Sequence, residues 1–453
     1  MSVGRLSVLG LGKLGAVMAA IFADKGFSVS GVDPDPDVTG AINDGRAPVE
    51  EPELADYIAR NRERLKATAD TVAAVRETEA TFIMVPTPSG ADGTFRSDYV
   101  LSCCESIGRA LRDKPGYHLA VVSSTVMPGQ TGNEILPLLE RVSGKKCGPD
   151  FGLCYNPEFI ALGSVVRDML NPDMLLIGES DERAGTMLES IYRRVCNGNP
   201  PAVRMNFINA ELTKISVNTF VTTKISYANM LAEICGRLPG ADVDAVTGAL
   251  GRDSRIGGKY LKGAMGYGGP CFPRDSVAFA AMARQLGLEA TLAEATHEIN
   301  QRQAPRLGDL ILDLTPAGAT VAILGLSYKP NTGVVEESQA VVLARYLLSF
   351  GIRVQAYDPQ AMPNARRELG ERVRFASSLP DAVSGAAVIV IATPWEEFKE
   401  LKPSMLTLSK GRPTVIDCWR ILNRREFERR CTYLQLGMAS AGTRTAAFAG
   451  ASV

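Results

Sequence analysis

Short hydrophobic runs recur along this chain, separated by stretches in which polar and apolar residues mix. The first run covers residues 5–9, a glycine-rich turn follows, and an apolar helix is predicted over residues 16–25. A second run over residues 28–32 ends at Asp33. Strands that alternate with segments of helical length are typical of a parallel sheet covered by helices on both faces. The beginning of the chain therefore predicts a doubly wound α/β domain.

Later apolar runs extend this sheet, and each of them ends in polar residues. The predicted strands are residues 80–85, 119–123 and 151–155. Because ligands bind beyond the carboxyl ends of strands in an open parallel sheet, Thr87, Thr125 and Glu158 are expected to line one crevice. Capping of a loop explains either threonine equally well. A carboxylate in the position of Glu158 can serve as a general base.

The middle of the chain is helical, and the last third repeats the α/β pattern. Asn209 is the predicted N-cap of a helix that runs to about residue 237, and helical sequence resumes after Cys271 and continues to about residue 306. A linker over residues 315–320 precedes the repeat, which lacks the full glycine fingerprint. Its predicted elements are strands 321–324, 353–357, 387–391 and 414–416 and a helix over residues 338–350.

These elements predict an α/β protein in which two Rossmann-like doubly wound domains are joined by a helical central domain with one long helix. The predicted bounds are a first α/β domain at 1–205, a helical central domain at 206–303, a second α/β domain at 304–437 and a flexible tail at 438–453.

Composition excludes several classes of function. Net charge is −1 over 453 residues, and no block of Lys or Arg indicates nucleic acid or an anionic membrane as a partner. Nine cysteines without paired spacing predict reduced thiols and a cytoplasmic location. Two histidines leave little room for a zinc site, so no metal is expected. The apolar run 14–22 is too short to span a bilayer, and the glycines that precede it argue against a targeting signal.

The nucleotide site is predicted from Gly10-Leu-Gly12-Lys-Leu-Gly15, which lies between the first strand and the first helix. Gly10 permits the tight turn, Gly12 lets the backbone approach a pyrophosphate, and Gly15 lets the helix pack on the strand. The N–H groups of the helix N-terminus attract the phosphates. Asp33 has the spacing of a ribose ligand, and acidic neighbours would repel a 2′-phosphate. NAD is therefore favoured over NADP.

A glycine-rich segment carries a cysteine at its end: Gly266-Tyr-Gly-Gly-Pro-Cys271-Phe-Pro-Arg-Asp275. Pro273 suits the first turn of a helix, since its missing N–H costs nothing there. Such a helix would place Cys271 at the positive end of its dipole and beside Arg274, and both favour the nucleophilic thiolate. Asp275 lies four residues on and can share the face of the cysteine. A buried structural cysteine is the alternative interpretation.

Two lysines, an asparagine and a basic loop elsewhere in the chain are candidates for binding substrate oxygen atoms. Lys214 and Asn218 lie four residues apart on the long helix, so they share a face. This pair is either solvated surface or, if it faces the crevice, a means of stabilising an oxyanion. The basic loop 252–262 is either a connector or a clamp for phosphate and sugar oxygens. Lys329, at a strand end, is either an exposed loop lysine or a ligand for phosphate or a sugar hydroxyl.

Together these motifs resemble the UDP-glucose/GDP-mannose dehydrogenase family over residues 3–425. The resemblance is carried, in family order, by Gly10-x-Gly12-x-x-Gly15, Pro86-Thr-Pro88, Ser124-Thr-Val126, Asn156-Pro-Glu-Phe159, Glu211-Leu-Thr-Lys214-x-x-x-Asn218, Gly268-Gly-x-Cys271-Phe-Pro-Arg-Asp275 and Lys329-Pro-Asn-Thr332. It implies that a nucleotide-sugar primary alcohol is oxidised to a carboxylate with two NAD and one water. Cys271 would bind the intermediate aldehyde as a thiohemiacetal, which becomes a thioester that water hydrolyses.

The resemblance implies that the domain at 1–205 binds NAD, that the one at 206–303 forms the dimer and that the one at 304–437 binds the nucleotide sugar. It also implies roles for particular residues. Lys214 and Asn218 would stabilise oxyanions, Asp275 would help in proton handling, and Glu158 with Thr125 would activate water, so the catalytic set is Cys271, Lys214, Asn218, Asp275, Glu158 and Thr125. The cofactor contacts are Gly10, Gly12, Leu14, Gly15, Asp33, Thr87, Thr125, Glu158 and Arg274. The substrate contacts are Lys214, Asn218, Arg255, Tyr260, Gly268 and Lys329. In the family Arg255 reaches the site of the partner subunit, which implies a homodimer through the central helix.

The chain departs from the family pattern at four positions. Leu162 stands where a second glutamate is usual, and Gly333 and Val334 replace two aspartates. Glu336 replaces an arginine that faces the cofactor, and Arg420 is a hypothetical compensating cation. NAD affinity, domain closure or substrate choice are therefore expected to be unusual.

Three hypotheses follow. The first is an NAD-dependent nucleotide-sugar 6-dehydrogenase, for which the Cys-Phe-Pro-basic-Asp form favours UDP-glucose over GDP-mannose or a UDP-N-acetylhexosamine. The second is a nucleotide-sugar-binding protein with weakened catalysis, suggested by Leu162 and Glu336. The third is a two-electron dehydrogenase of the 3-hydroxyacid type, which shares the first domain and a helical centre.

Overall fold

The computed structural model describes residues 3–407 and 411–439. The strands are β1 (Arg5–Leu9), β2 (Ser28–Val32), β3 (Leu65–Thr68), β4 (Ala80–Ile83), β5 (His118–Val122), β6 (Phe151–Tyr155), β7 (Leu175–Glu179), β8 (Ala202–Met205), β9 (Thr320–Leu324), β10 (Arg353–Tyr357), β11 (Val373–Phe375), β12 (Val388–Ile391), β13 (Thr414–Asp417) and β14 (Thr432–Gln435).

Helices connect these strands in the manner of doubly wound domains. They are α1 (Gly15–Asp24), α2 (Pro36–Asn43), α3 (Leu54–Arg60), α4 (Thr71–Glu77), α5 (Asp98–Asp113), α6 (Leu136–Ser143), α7 (Val165–Leu170), α8 (Glu182–Val195), α9 (Phe207–Cys235), α10 (Val243–Leu250), α11 (Phe272–Gln285), α12 (Thr291–Gln301), α13 (Gln303–Leu314), α14 (Gln339–Ser349), α15 (Met362–Leu369), α16 (Leu379–Val383) and α17 (Arg424–Glu428).

Two separate sheets have the strand order expected of Rossmann-like domains. The first runs β3-β2-β1-β4-β5-β6-β7-β8, in which β6 and β7 alone are antiparallel among the described neighbours. The second runs β11-β10-β9-β12-β13-β14, and its described pairs are all parallel. In each sheet the next two strands in the sequence lie on one side of the first strand, and the later strands lie on its other side. This change of side opens a crevice at the carboxyl ends of the strands. The predicted fold class is confirmed.

Burial on both faces explains why the central strands are apolar runs. In β9, Val321 and Ile323 belong to one buried cluster, and Ala322 and Leu324 belong to another on the opposite face. Alternate residues of a strand point to opposite faces, so a strand that is covered on both sides has no polar face. Helix α1 is likewise buried from its first to its ninth residue, because it packs over the first sheet.

The long central helix begins slightly earlier than the sequence indicated. It spans Phe207–Cys235, and its N-terminal cap is Asn206, whose Oδ1 accepts a hydrogen bond from the N–H of Asn209 at 3.0 Å. The prediction of Asn209 as the cap was therefore wrong by three residues, since both asparagines suit that position. The helical stretch predicted up to residue 306 is divided among α11, α12 and the start of α13.

The chain forms two compact units that divide between Ser216 and Val217, within α9. The three-domain division at 205 and 303 stays a prediction. The predicted flexible tail begins at Met438, which forms an isolated bridge with Asp242. Residues 440–453 of that tail lie outside the described residues. Among the helices that the structure describes, none combines the length and the apolar character needed to cross a membrane.

Candidate active site

The turn between β1 and α1 is built for a diphosphate. Gly10 has a φ of +90°, which L side chains rarely adopt. A Cβ on Gly15 would lie 1.9 Å from the carbonyl oxygen of Gly10, so only glycine permits this approach of helix and strand. A Cβ on Gly12 would meet nothing within 4 Å, and this glycine leaves the space in front of the helix N-terminus open. These three glycines fit the pyrophosphate of a dinucleotide.

Asp33 is held at the end of β2 in a way that suits a ribose. Its Oδ2 accepts a hydrogen bond from the N–H of Leu11 at 2.8 Å, and its Oδ1 accepts one from the N–H of Asp35 at 3.0 Å. The residue is partly exposed, so each oxygen keeps a lone pair for a ribose hydroxyl. Leu14 lies at the N-cap of α1 and packs against the core, and Thr87 is buried.

Glu158 follows β6 and carries the most perturbed carboxyl group of the candidate site. Burial raises the pKa of Glu158 to about 7, against the opposing effects of a hydrogen bond from Tyr192 and the charge of Lys214. The Tyr192 hydroxyl donates to Oε1 at 3.0 Å. A carboxyl group with a pKa near 7 is suited to general base catalysis at neutral pH.

Lys214 is fixed against the backbone of the same residue. Its Nζ donates to the carbonyl oxygen of Glu158 at 2.6 Å and lies 4.7 Å from the centre of the Phe159 ring. The side chain is buried, with 6% of the residue exposed. The structure therefore brings Lys214 and Glu158 together within the first unit, as the hypothesis of a shared crevice requires.

The loop that carries Thr125 is anchored by a carboxylate of α9. Glu211 is fully buried, and its two oxygens accept hydrogen bonds from the N–H groups of Gly129 at 2.6 Å and Thr131 at 2.8 Å. Burial raises the pKa of Glu211, and the hydrogen bonds oppose that shift. Thr125 itself is partly buried after β5. Glu211, near the start of α9, thus positions the loop beyond this strand.

Leu162 occupies an apolar position, and a carboxylate from elsewhere reaches the adjacent backbone. Leu162 packs against the buried cluster that α1 forms with strands of the first sheet. The Glu51 carboxylate accepts hydrogen bonds from the N–H groups of Gly163 and Val165, each at 2.9 Å. The loss of the glutamate at 162 is thus accommodated by apolar packing, and Glu51 ties down the end of the loop that begins at Glu158.

Cys271 is the N-cap of α11, and Pro273 lies in the first turn as predicted. It is exposed, whereas every other cysteine is buried or partly buried. Burial raises the pKa of Cys103, Cys196 and Cys431 to about 11, and it raises the pKa of the remaining five thiols as well. An exposed thiol at a helix N-terminus is the most available nucleophile of this set.

Asp275 lies behind the cysteine and is almost completely buried, at 1% exposure. Its Oδ2 accepts a hydrogen bond from the Asn218 amide at 2.6 Å, and Arg274 forms an ion pair with its Oδ1 at 3.4 Å. The N–H of Asp275 donates to the carbonyl oxygen of Cys271 at 2.8 Å. The positive charge of Arg274 is therefore shared with Asp275, which moderates the predicted stabilisation of a thiolate.

Two amide side chains hold the glycine-rich segment before Cys271. Asn300 accepts from the N–H of Tyr267 at 2.7 Å and donates to its carbonyl oxygen at 3.0 Å, and Gln339 donates to that oxygen at 3.3 Å. A Cβ on Gly268 would lie 2.2 Å from a backbone oxygen of Glu337, so this position requires glycine. The backbone of the segment is thereby fixed by α12, α14 and the loop before α14.

Among the predicted substrate residues of the second unit, Arg255 and Tyr260 are exposed, whereas Asn218 and Gly268 are buried. Arg255 is exposed and pairs with Asp253 at 2.7 Å. Tyr260 has a φ of 64° and is 50% exposed. Its ring packs edge-on against that of Phe272, with 6.3 Å between the ring centres. Lys329 is partly buried, with its Nζ 5.9 Å from the centre of the Tyr328 ring.

The family departures in the second unit have structural consequences. The Glu336 side chain is exposed, and its carbonyl oxygen accepts from the N–H of Gly269 at 3.0 Å. The backbone at position 336 thus supports the cysteine loop whatever side chain it carries. The Arg420 guanidinium binds both oxygens of Asp244, at 2.7 and 2.8 Å, and its side chain is 3% exposed. Arg420 is therefore engaged in the fold and does not replace the missing cation.

Sequence reasoning missed several residues that support the site. Tyr192, Glu51, Asn300 and Gln339 are distant in sequence from the residues that they contact, and single residues of these types carry no periodic signal. Glu211 was noted only as part of a motif. Within the described part of the chain, no group of three or more His, Cys, Asp or Glu is arranged to hold a metal ion.

The site and fold define an NAD-dependent dehydrogenase of the Rossmann type, and comparison with known proteins identifies its family. Three family models match in succession: the NAD binding domain of the UDP-glucose/GDP-mannose dehydrogenase family at residues 4–196, the central domain at 208–302 and the UDP binding domain at 322–424. The chain belongs to the UDP-glucose/GDP-mannose dehydrogenase family.

Individual relatives cover nearly the whole chain. UDP-glucose 6-dehydrogenase AglM of Haloferax volcanii is 39% identical over 93% of this chain and 98% of its own length. GDP-mannose 6-dehydrogenase of Pseudomonas savastanoi pv. phaseolicola is 33% identical over 88% of this chain and 92% of its own. The solved UDP-glucose dehydrogenase of Pyrobaculum islandicum has a TM-score of 0.87 at 35% identity, covering 97% of this chain and 98% of that one.

These matches confirm the predicted family, the NAD cofactor and the class of reaction. The chain is an NAD-dependent nucleotide-sugar dehydrogenase, and strands β10 to β13 of its C-terminal sheet lie within the part matched by the UDP binding domain. The third hypothesis, a dehydrogenase of the 3-hydroxyacid type, is not needed, because the family models match all three parts of the chain.

Proposed function

We propose that the chain oxidises the C6 primary alcohol of UDP-glucose to the carboxylate, with Cys271 as the nucleophile. The observation that carries this proposal is the exposed thiol at the N-terminus of α11, with Asn218 and Asp275 hydrogen-bonded behind it. UDP-glucose is supported by the 39% identity to a protein named UDP-glucose 6-dehydrogenase and by the match to a UDP binding domain. GDP-mannose is the second candidate substrate, given the 33% identity to a GDP-mannose 6-dehydrogenase.

Gly10, Gly12 and Gly15 would hold the pyrophosphate of NAD, and Asp33 would hold its ribose. When bound, NAD supplies a hydride acceptor in each of the two oxidations. Leu14, Thr87 and Arg274 are proposed as further cofactor contacts. Cys271 retains the sugar between the oxidations: its sulfur bonds to the aldehyde carbon, and the product of the second oxidation is a thioester.

The remaining groups stabilise charge and move protons. Lys214 and Asn218 supply N–H donors for the oxygen on the reacting carbon. Glu158 takes a proton from the water that attacks the thioester, with Thr125 as its helper, and Asp275 assists the proton traffic at Cys271. Arg255, Tyr260, Gly268 and Lys329 are proposed to hold the nucleotide sugar. The complete reaction consumes two NAD and one water and releases two NADH.

The test is NADH formation by the purified protein with a panel of nucleotide sugars. We expect two NADH per UDP-glucose consumed, and no turnover with Cys271→Ala. Formation of one NADH per sugar would contradict the four-electron reaction. Measurable sugar binding without NADH, for every sugar of the panel, would favour the alternative of a binding protein with weakened catalysis.

A homodimer through the central helix is also proposed. Phe220, Tyr227, Met230 and Ile234 are exposed large apolar residues of α9 with i, i+7, i+10 and i+14 spacing, so they form one stripe. A second copy of the same stripe would bury it in an isologous interface. Light scattering of the wild type should give a molar mass of twice the chain mass. The double variant Phe220→Glu/Tyr227→Glu should have the mass of a single chain. A monomeric wild type would overturn the proposal.

A cytoplasmic location is proposed on the basis of the cysteines. All nine are present as thiols and not as disulfides, which is typical of proteins in a reducing compartment. Fractionation of the native cells with an antibody against the chain tests this location.

A further inference from the structure

The carboxyl group proposed to activate water is held by a residue from a separate helix. Tyr192 of α8 donates its hydroxyl to Oε1 of Glu158 at 3.0 Å. The tyrosine itself has little freedom, because it is 2% exposed and its ring packs edge-on against Phe82 of β4, with 6.5 Å between the ring centres. A buried hydroxyl that is fixed by ring packing gives its hydrogen bond a defined direction.

The main chain of the same glutamate is fixed by a second residue. Lys214 of α9 donates to the carbonyl oxygen of Glu158 at 2.6 Å. Glu158 is thus fastened at its backbone by a cation and at one carboxyl oxygen by a phenol. With Oε1 engaged, Oε2 is the oxygen that can accept a proton from water.

We propose that Tyr192 is a positioning residue of the hydrolytic step, which holds Oε1 of Glu158 so that Oε2 faces the attacking water. This inference rests on the proposed function, since it assumes that the thioester on Cys271 is hydrolysed with Glu158 as the base. As the water oxygen bonds to the thioester carbon, one proton passes to Oε2. The carbon–sulfur bond then breaks, and its electron pair returns to the sulfur of Cys271.

The charges around Glu158 are consistent with this role. Its neighbours are Tyr192, Lys214 and Cys196. The pKa of Tyr192 is raised well above its usual value by burial, and burial raises the pKa of Cys196 to about 11, so both stay neutral and Tyr192 stays a donor. The hydrogen bond from Tyr192 and the charge of Lys214 oppose the effect of burial on the carboxyl group.

The first experiment uses no substrate and therefore does not depend on the proposed function. The full-length protein is labelled with ¹³C at the glutamate carboxyl carbons, and the signal of Glu158 is identified by its loss in Glu158→Gln. In Tyr192→Phe we expect the midpoint of its titration to rise by about half a pH unit or more. The matched control is Tyr117→Phe, a tyrosine of the same unit whose ring lies 3.5 Å from Arg183, and it should leave the midpoint unchanged.

Should Tyr192→Phe fail to fold, 3,5-difluorotyrosine at position 192 replaces it. This residue keeps the ring and strengthens the donor, so the midpoint should fall. An unchanged midpoint with either replacement would overturn the assignment of Tyr192.

The second experiment separates positioning from general damage. Rapid mixing of Tyr192→Phe with NAD and UDP-glucose should still give a burst of two NADH per site, followed by a steady-state rate at least tenfold below wild type whose acid limb is shifted to higher pH. If the NADH burst and the steady-state rate fell by the same factor and the acid limb of the pH profile did not move, the role of Tyr192 would be only structural. Absence of NADH in the wild type with every sugar would instead overturn the proposed function, whatever the titration shows.

Discussion

The Asn218 amide donates a 2.6 Å hydrogen bond to the Asp275 carboxylate, and this bond fastens α9 to the helix that carries Cys271. Asp275 is buried and lies one turn after the cysteine, while Asn218 lies one turn after Lys214. The bond therefore serves both structure and chemistry: it pairs a buried charge and sets the orientation of an amide proposed as an oxyanion donor.

Replacement of Asn218 should separate these two effects. Asn218→Ala leaves one oxygen of a buried carboxylate without this donor, which costs about 1–3 kcal/mol of the free energy of unfolding. Asn218→Asp places a second carboxylate at the same distance and should destabilise further, because two like charges then face each other in a buried position. Thermal unfolding from pH 5 to 9 measures both. Equal unfolding temperatures for the two variants across this range would contradict the importance of the bond.

The accessibility of the thiols predicts selective chemistry at Cys271. A brief treatment with a small alkylating reagent near pH 7.5 should label this cysteine first, because the other eight are at least partly buried and have raised pKa values. Peptide mass spectrometry before and after unfolding gives the order of labelling. Loss of NADH formation should follow the labelling of Cys271 with the same rate constant.

The matched control for labelling is Cys431→Ser, which removes a buried thiol of the same unit without altering the order. Cys271→Ala should show almost no labelling under the same brief treatment. Rapid modification of several peptides in that variant would mean that exposure at the N-terminus of α11 is not what selects the reactive thiol.

The raised pKa of Glu158 predicts the pH dependence of turnover. Since the base must be ionised and its pKa is about 7, the hydrolytic rate should fall about tenfold per pH unit as the pH drops below 7 and should level off above it. The steady-state rate after the first two NADH, measured from pH 5.5 to 8.5, reports this limb. Glu158→Gln should lower that rate by about 10²-fold or more and abolish the limb. A limb that persists unchanged in this variant would belong to another group.

Much of the site was predictable because its residues lie in local motifs. Gly10, Asp33 and Cys271 each belong to a short pattern whose meaning depends on neighbours in sequence. The supporting contacts were not predictable, because Tyr192 and Glu158 are 34 residues apart and Glu51 and Gly163 are 112 residues apart. Nothing in a single sequence pairs such residues, since the pairing follows from strand order and helix packing.

The strands show the same division. The predicted strands at 5–9, 28–32, 151–155 and 353–357 have the observed bounds, because most of the residues in each are buried within the two sheets. The predictions missed β3, β7, β8, β11 and β14, which lie toward the edges of the two sheets. Short outer strands contain polar residues, as in Leu-Lys-Ala-Thr of β3, and are difficult to distinguish from loops.

The two sheets differ most at matching strand-end aspartates. Gly325 of the second sheet repeats the conformation of Gly10, with a φ of +93° against +90°, and the N–H of Leu326 binds Asp358 at 2.7 Å as Leu11 binds Asp33. Asp358, however, is only 1% exposed. It also accepts from both the N–H and the hydroxyl of Ser327, from the indole of Trp395 and from the N–H groups of Gln360 and Ala361.

The same substitution should therefore have opposite effects at the two aspartates. Asp33→Asn removes a charged acceptor for ribose hydroxyls, so NAD affinity should fall by about tenfold or more, with little change in unfolding temperature. Asp358→Asn turns an amide NH₂ toward several of the N–H and O–H donors that now bind the carboxylate. It should cost about 2–4 kcal/mol of stability, because buried donors are left unsatisfied. At temperatures well below its unfolding transition, the Asp358→Asn variant should bind NAD with nearly the affinity of wild type. Calorimetric titration with NAD and thermal unfolding measure the two quantities separately. If Asp358→Asn lowered the NAD affinity more than Asp33→Asn did, the dinucleotide would bind at the second sheet. The assignment of the two domains would then be reversed.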